Sequence, residues 1–339
     1  MTGPLHKRRL TTLAALVAVA VAVVVVAPFF GTTTLSPGDI LRPSPEGTAS
    51  DIFWSMRVPR IVVSLLAGAA LAASGMAFQA MFRNPLATPF TLGVASGASL
   101  GAAVYLRLGL AVGLLGVSGV SAAAFAGALG SILLVYGLAR ARRGLSSATM
   151  LLAGVAVSFF FSSILLFMHY IGDPQNSFRL LRWIMGGLQT LGYSQVLRVL
   201  PFVVGGSAIV LYLTRELNLI STGEDIATSR GVDVKRTKHV LFFATSLMVG
   251  GVVAVCGPIG FVGMMSPHIC RLLIGADHRY LTPATLVFGG AFLTICDLLA
   301  RTLMGTAEIP VGVITALLGG PFFLWLLLRR GGGLYAAKI

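Results

Sequence analysis

An all-α integral membrane fold with about ten transmembrane helices is expected for this chain, on three observations. Of its 339 residues 56% are hydrophobic and only 11% charged, where a soluble domain carries about 25% charged residues. Mean hydropathy is +0.90. Apolar stretches near the bilayer-crossing length recur from one end of the chain to the other, so one polytopic domain over residues 1–339 is expected rather than a soluble domain on an anchor.

The expected spans, in order, are about 10–30, 60–81, 91–108, 112–138, 148–169, 194–214, 238–256, 259–275, 281–300 and 310–329. The first follows MTGPLHKRRL, and its apolar run is nearer to span length than to a signal-peptide core, so it is read as an uncleaved helix. Gly68, Ala72 and Gly75 line one face of the second span. Gly93, Gly97 and Gly101 make two GxxxG steps in the third, a pattern that lets helix backbones approach closely in lipid. The prolines within Arg83–Pro89 mark a turn, and Gly257-Pro258 interrupts the chain between the seventh and eighth spans. Spans two to five and seven to ten run in opposite senses, which permits an inverted repeat, although no self-similarity supports one.

An even number of spans puts both termini on one side, and the positive-inside rule sets which. With the termini inside, 17 of the 25 Lys and Arg residues are cytoplasmic. The formal charge of +14 is therefore assigned to topology and to anionic lipid headgroups, not to nucleic acid.

The densest charge lies in the inner loop Leu217–Arg236. Ser221 and Glu224 have the spacing of a capping box, Glu224 and Asp225 suit a helix N-terminus, and Gly231 can end the helix in the left-handed conformation. A short, terminated helix outside the membrane is expected, of a kind that offers another protein a handle.

Catalytic chemistry is missing from the pattern. No G-x-x-x-x-G-K-[ST] phosphate loop occurs, so a nucleotide-driven process needs a partner. Cys256, Cys270 and Cys296 are read as packing residues, and His169, His239, His268 and His278 have no metal-ligand spacing, so neither a metal nor a cofactor is expected. Asp297 is the acid placed clearly inside a span. It stands four residues before Arg301 and is read as that residue's structural partner; the competing reading is a proton site of an ion-coupled secondary transporter. A scaffold without transport is a third reading. Arg57, Arg60 and Arg301 sit on the outer side, where cations are disfavoured, and are read as a carboxylate-docking surface.

RVPR at Arg57–Arg60, the run GAALAASGMAFQAMFRNPLATPFTLGVASGASLGA from Gly68, GPIGFVGMMSPHICRLLIGADHR from Gly257, DLLAR at Asp297–Arg301 and EIPVGVITALLGGPFFLWLL from Glu308 resemble the FecCD-type permeases. These are the membrane subunits of bacterial ABC importers for iron–siderophore complexes, haem and vitamin B12. The resemblance implies a type II ABC importer permease of ten helices in the bacterial cytoplasmic membrane. It also implies a second permease subunit, homomeric or heteromeric, a cytoplasmic ATP-binding-cassette ATPase dimer and an extracytoplasmic solute-binding protein. Cargo would pass through a largely apolar cavity between two permeases. Iron–siderophore chelates come first as expected cargo, with haem or cobalamin as alternatives. Leu217, Ser221, Gly223, Glu224, Ala227 and Gly231 match the family's ATPase-coupling loop, and Arg57, Arg60 and Arg301 match arginines that pair with acids of the binding protein. Thr228-Ser229-Arg230 departs from the small or apolar residues usual before Gly-Val.

Overall fold

The computed structural model describes residues 4–31, 33, 35–36, 38, 48–109, 118–141, 147–304 and 307–329. Arg42, Arg142, Arg143, Arg330 and Lys338 of the charge census lie outside them, as do the first residues of the expected 112–138 span. The α-helices of six residues or more run in the order α1 (Pro4–Val26), α2 (Val58–Phe82), α3 (Val94–Arg107), α4 (Gly119–Ala141), α5 (Ser147–Tyr170), α6 (Pro174–Ile184), α7 (Ser194–Tyr212), α8 (Thr214–Thr222), α9 (Glu224–Ser229), α10 (Val234–Cys256), α11 (Val262–Ile274), α12 (His278–Thr302) and α13 (Val311–Arg329), and a π-helical turn over Ile52–Arg57 leads into α2. Among the described residues, seven helices are long and apolar enough to cross a membrane, and α11 and α13 are shorter apolar helices. With the 14-residue α3 they account for the ten expected spans.

Helix α2 is the axis. It packs against α7, α10, α11 and α12, and its side chains are mostly buried. Lipid tails are as apolar as leucine, so helices here associate through close backbone approach and dispersion instead of water exclusion. The glycine faces provide that approach. A Cβ on Gly75 would overlap the Gly263 carbonyl of α11, and one on Gly68 would overlap the Gly289 carbonyl of α12. The α3–α4 pair is built the same way, with Gly97 against Gly127 and Gly101 against Ala123. Gly93 is used differently from the expected packing step. It has φ 82° and starts α3, a conformation that favours glycine.

Chain interruptions fall where the prolines and glycines put them. Helix α2 ends at Arg83, itself left-handed at φ 51°. Gly257, with φ 68°, closes α10 before α11 begins. The stretch 170–193, expected as a connector, instead contains α6. Asp173 caps it by accepting a hydrogen bond from the Asn176 amide at 2.9 Å, and Pro174 starts it, a position where proline costs nothing. That bond to the backbone holds the Asp173 carboxyl below the usual carboxylate range.

Both ends of the bundle are defined by α12. At its start Asp277 and His278 contact α8, and Arg9 and His6 of α1 reach Asp277 and Tyr280. At its finish Asp297 and Arg301 lie beside Arg60 near the start of α2. The beginning of α1 and the 214–236 loop therefore share one end, here called the loop end. The arginines expected to dock a partner share the other.

Candidate functional site

At the loop end, the expected single capped helix is two helices, α8 and α9, separated by Gly223 at φ 151°, ψ 143°. The capping box does not form. Residue 221 still belongs to α8, and its hydroxyl donates to the Asn218 carbonyl at 2.8 Å, so it cannot turn to cap the next helix. Gly223 occupies the N-cap position instead, without a side-chain bond. Glu224 does begin α9, but its carboxylate accepts a 2.6 Å hydrogen bond from the buried Lys238 amine of α10. The other terminus is as expected. The Val232 amide donates to the Ala227 carbonyl and the Gly231 amide to Thr228, both at 3.0 Å, with Gly231 at φ 81°. That pair of bonds is a Schellman stop, which needs a left-handed residue after the helix.

The six expected coupling residues divide by burial. Leu217 and Ala227 are fully buried and anchor the loop, whereas Glu224 and Gly231 are exposed. Ile220, Ala227 and Val234 form a small apolar cluster of their own beneath the loop. Asn218, not singled out by sequence, ties α8 to α12: its amide donates to Asp277 at 2.9 Å, and its carbonyl accepts from the His278 backbone at 2.8 Å. The outer face of α9 presents Asp225, Thr228 and Ser229 around Ile226, which is 49% exposed. The assembly is a platform of half-satisfied polar groups around one apolar knob, fastened from below.

At the opposite end, Arg57, Arg60 and Arg301 converge, though not as a free surface. Arg57 is buried and donates to the Pro28 carbonyl at 2.8 Å and to the Thr33 backbone and hydroxyl oxygens. This ties the segment after α1 to the start of α2. Arg60 grips two acids: its Nη2 lies 2.8 Å from Asp297, and its Nη1 lies 3.0 Å from Glu308. The expected Asp297–Arg301 pair is present at 3.1 Å. Asp297 nevertheless takes its hydrogen bonds from Arg60, at 3.0 and 3.1 Å through Nε. Arg301 Nε and Nη2 are buried without an aligned acceptor. Asp297 is thus clamped between two guanidiniums at 0% exposure.

Glu308, which the sequence did not single out, completes the cluster. It also accepts from Gln189 at 3.0 Å. Burial alone would push its carboxyl up, but the Gln189 bond and the Arg60 charge together hold it below the usual range. The three arginines line an open recess of about 390 Å³ with Gln189 and Glu308. Among the described residues no group of three or more His, Cys, Asp or Glu is placed to hold a metal ion.

This arrangement of helices is shared. The model of the FecCD transport family matches residues 16–329. The chain belongs to that family. A cobalamin import system permease protein of Halobacterium salinarum is 43% identical over 283 residues, covering 84% of this chain and 75% of the relative. A hemin transport system permease protein of Yersinia pestis is 36% identical over 301 residues, covering 88% and 90%. Among solved structures, a transporter assigned to the metal-chelate ABC type, in an inward-facing conformation, superposes with a TM-score of 0.83 at 31% identity. That match covers 94% of this chain and 98% of the other. The protein is thus a multi-pass permease of an ABC importer, the subunit type that works with an ATPase and a further permease.

Proposed function

We propose that this chain forms half of the pathway of an importer for iron–siderophore or similar metal chelates in a bacterial cytoplasmic membrane. Both termini and the 217–236 loop face the cytoplasm. The observation that carries the coupling role is the α8–α9 platform. It projects the exposed face of α9 and is fastened to long helices by Asn218–Asp277 and by Glu224–Lys238. An ATPase dimer closing on that face moves α12 and α10 with it. At the other end, a solute-binding protein presents a carboxylate to the recess lined by Arg57, Arg60 and Arg301, where Nε and Nη2 of Arg301 have no aligned acceptor. The apolar face of α5, with Phe159 72% and Phe167 61% exposed, suits the lipid bilayer or the second permease, a copy of this chain or a related one.

The test is reconstitution with the cognate ATPase and binding protein in proteoliposomes, following ATP-dependent entry of radioiron-labelled chelate. Glu224→Arg is expected to leave assembly and membrane insertion intact. It removes the acid facing Lys238 and puts a positive charge at the positive end of α9. Ligand-stimulated ATPase activity should fall by about tenfold or more, the loss that about 1.4 kcal/mol of coupling free energy corresponds to. Wild-type stimulation in that variant would sink the coupling role, and absence of uptake in the wild type would sink the importer reading.

A further inference from the structure

A second recess of about 300 Å³ adjoins the first and shares Arg60, Gln189 and Glu308 with it. Its remaining polar wall comes from α6, the helix that sequence reading missed. Three faces of α6 do different things. Leu180 and Ile184 pack inward, Phe178 and Leu181 are exposed apolar groups, as is Met185 just after the helix, and Arg179 and Arg182 line the recess beside Trp183.

The backbone around this recess is built to hold α6 in place. The Gly187 amide donates to the Cys256 carbonyl at 2.8 Å, and a Cβ on Gly257 would overlap the Trp183 carbonyl. A Cβ on Gly312 would overlap the Met185 carbonyl. The ends of α6 and α10 and the start of α13 therefore meet at one joint, and the recess opens at it.

Charge at this joint is unbalanced. Three guanidiniums line the recess against one carboxylate, Glu308, which Arg60 and Gln189 already engage. Among the described residues neither Arg179 nor Arg182 has an acidic partner. Like charges three residues apart destabilise a helix, and an arginine stays charged in any such setting. The first turn of α13 also borders the recess, and a helix N-terminus favours an anion.

We propose that this recess selects anionic metal chelates, with Arg179 and Arg182 meeting carboxylate or catecholate oxygens at the mouth of the pathway and Trp183 lying against the ligand. The proposal rests on the importer reading and adds a substrate class to it. It departs from a largely apolar, permissive pathway, because selection then belongs partly to the permease.

The experiment uses the full chain in nanodiscs of zwitterionic lipid, with Trp54→Phe and Trp325→Phe leaving Trp183 as the reporter. Two probes of similar size are titrated: a ferric tricatecholate chelate, which is anionic, and a ferric trihydroxamate chelate, which is neutral. Quenching of Trp183 should show the anionic chelate binding at least about tenfold tighter, with the advantage shrinking as salt rises. R179Q with R182Q should abolish the preference and leave the neutral chelate's binding unchanged. R179K with R182K, which keeps the charge, should retain most of the preference. Equal affinity for both chelates, no quenching by either, or a preference that survives R179Q with R182Q would overturn the proposal. Loss of ATP-driven uptake for every chelate would instead strike the importer reading, and the binding preference would stand apart from it.

Discussion

At one end of α12, Asp297 is fully buried and gripped by Arg60 and Arg301; at the other, Asp277 is 30% exposed in its side chain and meets Arg9 at 3.4 Å and Asn218 at 2.9 Å. The same residue type is thus a locked counter-ion in one place and a loose fastener in the other. The difference follows from surroundings. A carboxylate out of water is retained only where cations and hydrogen bonds replace its hydration. A half-exposed one can exchange its partners for solvent at small cost. The tighter fastening is therefore at the arginine end and the looser at the loop end, which suits the coupling role proposed for that loop.

Removing each acid is the strongest way to break this comparison. Asp297→Ala leaves two buried guanidiniums without a carboxylate between them, and breaking a buried pair in this way costs about 3–5 kcal/mol. The purified variant should show a large drop in thermal midpoint in detergent, or fail to accumulate. Asp277→Ala loses one hydrogen bond from Asn218, worth about 1 kcal/mol, the helix cap it gives the Arg279 amide at 3.1 Å, worth about 0.5–2 kcal/mol, and a partly exposed ion pair worth about 0–1 kcal/mol, and it leaves no buried charge unpaired. Equal destabilisation by the two variants would erase the distinction drawn between the two ends.

Gly223 sharpens the comparison from the backbone side. At φ 151°, ψ 143° it occupies a region that side chains avoid, yet a Cβ there would meet nothing closer than Ile226 at 3.5 Å. Gly223→Ala therefore carries backbone strain without a steric clash, at about 1–3 kcal/mol. Because α8 and α9 are joined at this residue, that strain should appear as weakened ATPase coupling with global thermal stability nearly unchanged. A large fall in global stability would show that the platform is no softer than the arginine cluster.

What could be read from the sequence follows the same division. The spans, the glycine faces of α2 and α3, the break at Gly257 and the stop at Gly231 are local signals, written in spacing and in residues that take left-handed backbone. Asp297–Arg301 was legible because its partners lie four apart on one helix. Its dominant partner, Arg60, lies 237 residues away, and no spacing rule reaches that far. The same distance problem hid Asn218–Asp277 and Gln189–Glu308. Ser221 misled because capping-box spacing does not say which side of a helix break a residue falls on, and here α8 claims it. Helix α6 has a usable signal in Asp173-Pro174 and in the inward pair Leu180 and Ile184, but at eleven residues it is too short to register as a membrane span and falls between two expected ones.

The smallest effect concerns Glu308, whose standing between the two kinds of acid can be read from pH. Its side chain is 30% exposed like Asp277, yet it bonds Arg60 and Gln189 as firmly as Asp297 bonds its partners. Its folded pKa lies below the usual carboxylate value, so its contribution to stability is fully present above about pH 5, where an ordinary glutamate is also ionised. That contribution is lost as pH falls through the depressed folded value, because proton uptake then removes one of the two acids held by Arg60. The difference in thermal midpoint between the wild type and Glu308→Gln should accordingly be constant from about pH 7 to about pH 5 and close progressively below about pH 4. A difference that instead widened on acidification would mean a raised folded pKa, and Glu308 would then belong with acids whose burial outweighs their partners.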